Sequence, residues 1–145
     1  MERHEVTPAL EDVVEATIYL SGLGFENGGL AAAHAVNDGF AQEPQAHGMY
    51  HGEKVAFGTL VQLVLEKAPQ EELEQVLAFL RDTGLPLTLA QLGVKEIVPE
   101  TLKKVAEAAV VPTQSTKNLR ADITAQEVYD AILEADRIGR DYLAR

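Results

Sequence analysis

The chain has 145 residues, with 12 Lys and Arg against 23 Asp and Glu for a formal net charge of −11, and 46% apolar residues. That composition allows a real hydrophobic core, while zero cysteines exclude disulfides, thiolate metal ligands and cysteine nucleophiles, leaving histidine and carboxylate as metal donors. The acidic balance repels phosphate backbones, no apolar run reaches the ~18 residues of a membrane span, and the start is too charged for a signal peptide, so a soluble cytoplasmic protein without nucleic-acid or membrane partners is expected.

Apolar residues recur at helical period along nearly the whole chain. Thr7 is placed to cap a helix beginning at Pro8, with Leu10, Val13, Val14 and Ile18 as one stripe and Gly22 and Gly24 as its expected stop. An alanine-rich helix is expected from about Gly29 to Phe40, and Ala41 to Tyr50, with Pro44 and Gly48, reverses the chain. The next helix, from about Gly52, carries Phe57, Leu60, Val61, Val64 and Leu65 and reads as the buried centre. Pro69 separates it from a helix bearing Leu73, Val76, Leu77 and Leu80, which Gly84 and Pro86 end.

Leu85 to Leu89 alternates briefly but has no pairing partner, so a turn capped by Thr88 and ending at Gly93 is preferred to a strand. Helices follow at about Pro99 to Val110 and, after a polar loop, at about Ala125 to Leu143, where Thr124 and Glu127 make a capping box. The expected fold is all-α: one domain over residues 1–145, a helical bundle of about five to seven helices.

The four histidines are His4, His34, His47 and His51. His34 stands among small residues that leave room for another group, although a helical pairing with Asp38, four residues on, is the simpler local reading. His51 lies at the entry to the central helix, where a polar loop role is equally natural; the reversal between the two can bring both rings to one cleft. His47 falls in the loop, with a surface or supporting role, and His4 lies in the terminus. The glycines from Gly22 to Gly29 fail as a dinucleotide fingerprint, because Asn27 stands where G-x-G-x-x-G needs glycine and the segment follows a helix; a helix-to-helix turn explains them better. Paired carboxylates such as Glu71 and Glu72 read as solvated charge.

Two blocks carry a specific resemblance. Gly24-Phe-Glu-Asn-Gly-Gly-Leu-Ala-Ala-Ala-His34-Ala-Val and, with His51 seventeen residues after His34, Tyr50-His51-Gly-Glu-Lys-Val-Ala-Phe-Gly58 closely resemble the bacterial glycerol dehydrogenases of the metal-dependent, iron-type alcohol dehydrogenase family. The similarity continues through Gly84 to Leu92 and Val105 to Ala109, covering essentially the whole chain. The resemblance implies an α/β half that binds NAD and a helical half that holds a catalytic divalent metal, usually zinc. This chain looks like most of the helical half, without a Rossmann-like half. By motif match, His34 and His51 take the places of the two metal-ligating, substrate-facing histidines of the catalytic site, and Phe25 that of a loop residue near the substrate.

What the resemblance further implies is oxidation of glycerol, or another small vicinal diol, to a ketone such as dihydroxyacetone, by hydride transfer from a zinc-bound alkoxide to NAD. The family's third ligand, an aspartate, and the cofactor half precede the point where this chain starts, so it reads as N-terminally truncated and inactive in isolation. Apolar surface left uncovered by that half favours a homo-oligomer or association with a full-length homologue. The alternatives are a non-catalytic helical self-association module, or the same domain from a dehydrogenase of another small diol.

Overall fold

A computed structural model describes residues 5–145, and His4 lies outside the described residues. Among them the structure is all-helical, with no strand. Thr7 Oγ1 accepts from Leu10 N and Pro8 opens α1 (Pro8–Glu15), as the sequence predicts. The helix then runs on through a π turn (Ala16–Leu20) into α2 (Ser21–Gly28). Gly22 and Gly24 therefore do not stop it, and the expected turn between Gly22 and Gly29 is helix instead. A mid-helix glycine costs only about 1 kcal/mol, and the helix ends at Gly29, its first residue of positive φ, at +70°.

The alanine-rich helix α3 (Ala32–Gly39) begins three residues later than predicted. Gly29, at φ +70°, and Ala31, at φ −135° and ψ −148°, stand outside helical geometry, and the segment they bound is held from elsewhere: Asn118 Nδ2 donates to Leu30 O at 2.8 Å and Ser115 Oγ to Ala31 O at 2.7 Å. Two short 3₁₀ turns, Phe40–Gln42 and Pro44–Ala46, make the predicted reversal. Next come α4 (His51–Glu66) and α5 (Gln70–Thr83), the latter closed by Gly84 at φ +74°. The segment after Gly84 is a turn, with Thr88 Oγ1 accepting from Gln91 N at 3.2 Å. Helices α6 (Pro99–Ala109) and α8 (Ala125–Leu143) match their predictions, and the Thr124 capping box is present. The polar loop before α8 also holds a one-turn helix, α7 (Thr116–Leu119), whose four residues are too few to show a period. With α1, the π turn and α2 counted as one rod, the described residues hold seven helices.

The core lies between α3, α4, α6 and α8. Phe40 and Phe57, both fully buried, meet edge to face at 6.1 Å, and Leu60, Val61, Val105, Val128 and Ile132 fill the space around them. Helix α4 is its centre, as the stripe of apolar residues requires. The 85–94 turn is fastened to α8 by Asp136, 3% exposed, whose Oδ1 accepts from Leu89 N at 2.8 Å while Oδ2 pairs with Arg140 at 2.9 Å. The rod buries none of its residues. Among the described residues no helix is long and apolar enough to cross a membrane.

Candidate metal centre

Two helix starts build the site. His34 is in the first turn of α3 and His51 is the first residue of α4, and their rings come together at 5.5 Å between centroids, tilted by 46°. Two contacts fasten the start of α3 to α4. Gln62 Oε1 accepts from Ala33 N at 3.0 Å, filling a donor that a helix start leaves open. Gly58 lies so close to Ala33 that a Cβ there would sit 3.1 Å from the Ala33 carbonyl carbon and nearer still to its oxygen. Glycine at 58 is thus what lets the two helices approach at the turn that carries His34.

The reversal that delivers His51 is fastened as well. Gln45 Oε1 accepts from Lys95 N at 3.1 Å and from Glu96 N at 3.2 Å, and Gln45 Nε2 donates to Glu96 O at 2.8 Å. Buried Glu43 accepts from Gln45 N at 3.0 Å. Glu53 Oε2 accepts from Tyr50 N at 2.7 Å, closing the first turn of α4 beneath His51. The ring pair is therefore positioned by hydrogen bonds that no local reading of either histidine reveals.

Burial holds the His34 imidazole below the ordinary histidine range, repulsion from His51 adds to this, and Asp38 opposes it. The neutral ring, the form with a free lone pair, is favoured. The helical pairing of His34 with Asp38 does not form: Asp38 Oδ1 accepts from Asn37 Nδ2 at 2.9 Å, and among the described residues no hydrogen bond joins it to His34. His47 lies apart, exposed, with Nε2 3.0 Å from Ala41 O. Phe25, expected near a substrate, sits in the last turn of α2, 55% exposed and outside the core cluster. It is on a helix rather than in the turn foreseen for it.

The ring spacing can be tested against a shared cation. Zinc binds an imidazole nitrogen at about 2.0–2.1 Å, so two rings on one tetrahedral ion hold their centroids about 5 Å apart. The observed 5.5 Å fits two such donors. Among the described residues no third His, Asp or Glu joins them to make a set of three. The donor set is compatible with a divalent cation and is two imidazoles deep.

No family model matches the chain. It is 57% identical over 142 residues to a glycerol dehydrogenase of Escherichia coli O6:H1, a match covering 98% of this chain and 39% of the relative. Among solved structures it superposes on a probable glycerol dehydrogenase from Sinorhizobium meliloti 1021 with a TM-score of 0.91 and 46% identity, over 97% of this chain and 39% of that one. On the glycerol dehydrogenase of Schizosaccharomyces pombe the TM-score is 0.92 at 42% identity, over 97% of this chain and 36% of that one. The chain thus spans about two fifths of the length of the E. coli relative it matches.

Proposed function

The chain belongs to the glycerol dehydrogenases and corresponds to the C-terminal part of that family, and on that premise we propose that it is a single helical metal-holding domain in which His34 and His51 supply two donors to a divalent cation, zinc in the first instance. The observation that carries the reading is the meeting at 5.5 Å of two imidazoles seventeen residues apart. They sit in the two sequence blocks that resemble the family most closely. The fold brings them together through backbone clamps at Ala33 and Gln45, which fits a site whose geometry matters.

In a complete assembly the reaction is the oxidation of glycerol or a similar vicinal diol, with NAD as hydride acceptor. A divalent cation supplies the positive charge that acidifies an alcohol before it loses hydride. The chain's own part is to hold two neutral imidazoles at fixed separation. His34 is poised for this, because its surroundings disfavour its proton. Phe25 is assigned to the edge of the substrate site, a role it takes only when its exposed helix is covered.

Two nitrogen donors hold zinc more weakly than the three or four of complete sites. The isolated chain is therefore expected to bind zinc without oxidising glycerol. Equilibrium dialysis against zinc, with metal content read by mass spectrometry, tests the assignment. His34→Ala and His51→Ala should each lower affinity by more than ~10-fold, since loss of a ligand costs at least as much as loss of its hydrogen-bonded support. Unchanged zinc binding in both variants, or NAD-dependent glycerol oxidation by the chain alone, would overturn the reading.

A further inference from the structure

Two imidazoles make an incomplete donor set, and among the described residues no third His, Asp or Glu already stands with them. Two carboxylates lie within one helical turn of the rings: Asp38, four residues after His34, and Glu53, two after His51. Hydrogen bonding separates them. Glu53 is committed, since its Oε2 accepts from Tyr50 N at 2.7 Å and closes the turn that carries His51. Drawing it toward a cation would undo that turn. Asp38 is exposed, and among the described residues its side chain receives one hydrogen bond, from Asn37 Nδ2 to Oδ1 at 2.9 Å. Exposed side chains change rotamer in picoseconds to nanoseconds, so this carboxylate is free to turn.

Its place on α3 is the second argument. Residues four apart on a helix stand one above the other, with about 5–6 Å between Cβ atoms, and every Cα–Cβ bond leans toward the helix N-terminus. Asp38 therefore leans over the first turn of α3, which carries His34 and which the His51 ring meets from α4. Side chains at this spacing share a zinc ion where a helix supplies two donors. Against burial and the His51 ring, which together disfavour a proton on His34, the charge of Asp38 acts in the opposite sense, so its field reaches the ring pair. Two neutral imidazoles bring no negative charge to a divalent cation, and this carboxylate does.

We propose that Asp38 is a third donor of this site in the 145-residue chain, its carboxylate turning from Asn37 to the cation that His34 and His51 hold. The inference rests on the reading of the two histidines as metal donors and deepens it by completing their set from within the chain. Two nitrogens and one oxygen leave one position of a tetrahedral ion open.

The experiment titrates the chain with zinc in competition with a chromophoric chelator, and with cobalt(II), whose visible absorption reports the number and kind of its ligands. Asp38→Asn keeps the size of the side chain and removes its charge; Glu72→Gln removes an exposed carboxylate from α5, away from the rings, as a control. The expected result is a fall in zinc affinity of at least tenfold for Asp38→Asn together with an altered cobalt spectrum, since loss of a ligand costs at least as much as loss of its support. Glu72→Gln should change neither. Because Asp38 is exposed, its variant should keep the helical content and melting temperature of the parent, which circular dichroism checks. Unchanged zinc affinity in Asp38→Asn overturns the proposal. So does a weaker affinity with an unaltered cobalt spectrum, which would make Asp38 a charge acting at a distance and not a ligand. Zinc lost in His34→Ala and His51→Ala but kept in Asp38→Asn leaves the histidine reading standing and removes the third donor, whereas a parent chain that binds no zinc overturns both.

Discussion

Replacing Gly58 by alanine sets two effects of known size against each other. In the middle of α4 the substitution should stabilise the helix by about 1 kcal/mol through propensity alone. The new methyl, however, would sit 3.1 Å from the Ala33 carbonyl carbon and 3.2 Å from its Cα, and closer still to the oxygen, all backbone atoms that no rotamer change can move aside. Helix α3 must retreat, at an overpacking cost of typically 1–3 kcal/mol. Because every atom met is backbone, the cost belongs in the upper part of that range, about 2–3 kcal/mol, so the contact should win, for a net loss of about 1–2 kcal/mol and a fall of about 3–6 °C in Tm for a domain of this size. The same retreat stretches the Ala33 to Gln62 hydrogen bond and moves His34 from His51, so zinc affinity should fall with stability. Thermal melts by far-UV circular dichroism, paired with zinc titration, measure both. Gly52→Ala is the control: nothing lies within 4 Å of a Cβ there, and the melt should hold or rise. A Gly58→Ala protein as stable as its parent would refute the argument, because it would mean that α3 and α4 do not meet at this point.

Gly139→Ala should destabilise for the same reason, its methyl falling on the Leu87 backbone, and the loss should loosen the 85–94 turn in hydrogen exchange. Thr124→Ala removes the oxygen that accepts from Glu127 N at 3.2 Å and should cost about 1 kcal/mol in denaturant titration. Acid should weaken the fold through Glu127. The hydrogen bond from Thr124 N and then that from Arg120 hold its carboxyl below the usual range, so its contribution is present above about 4.5, the ordinary value, and is lost as pH falls through the lowered one. Glu134, through Arg137, and Glu74, through Arg145, act in the same direction. A pH series of melts should show Tm flat through neutrality and falling below that value, and a Tm that rises on acidification there would contradict the assignment.

Much of the chain declares itself locally. Helices α4, α5, α6 and α8 are long and periodic enough that alternation of apolar and polar residues, with Pro99, Gly84 and the Thr124 box as punctuation, sets their type and nearly their ends. These are short-range effects, decided within a few residues by backbone sterics and one side-chain bond. The errors came where a distant group intervened or where the period itself changed. The start of α3 falls after the non-helical Gly29 and Ala31, in a segment held by Ser115 and Asn118, more than eighty residues away. The rod contains a π turn ahead of its glycines, which inserts a residue and rotates the stripe in a way no fixed period anticipates.

The histidines divide in the same way. Sequence supplies two rings at a recognisable spacing within two family-like blocks, and resemblance names them. It does not supply their meeting, which depends on Gly58 admitting Ala33 and on Gln45 gripping the backbone at Lys95 and Glu96. Local propensity acts along the chain over a turn or two, so it settles which segments are helical. Whether two helix starts converge within 5.5 Å is a property of how those segments pack, set by contacts between residues distant in sequence, and only the folded chain decides it.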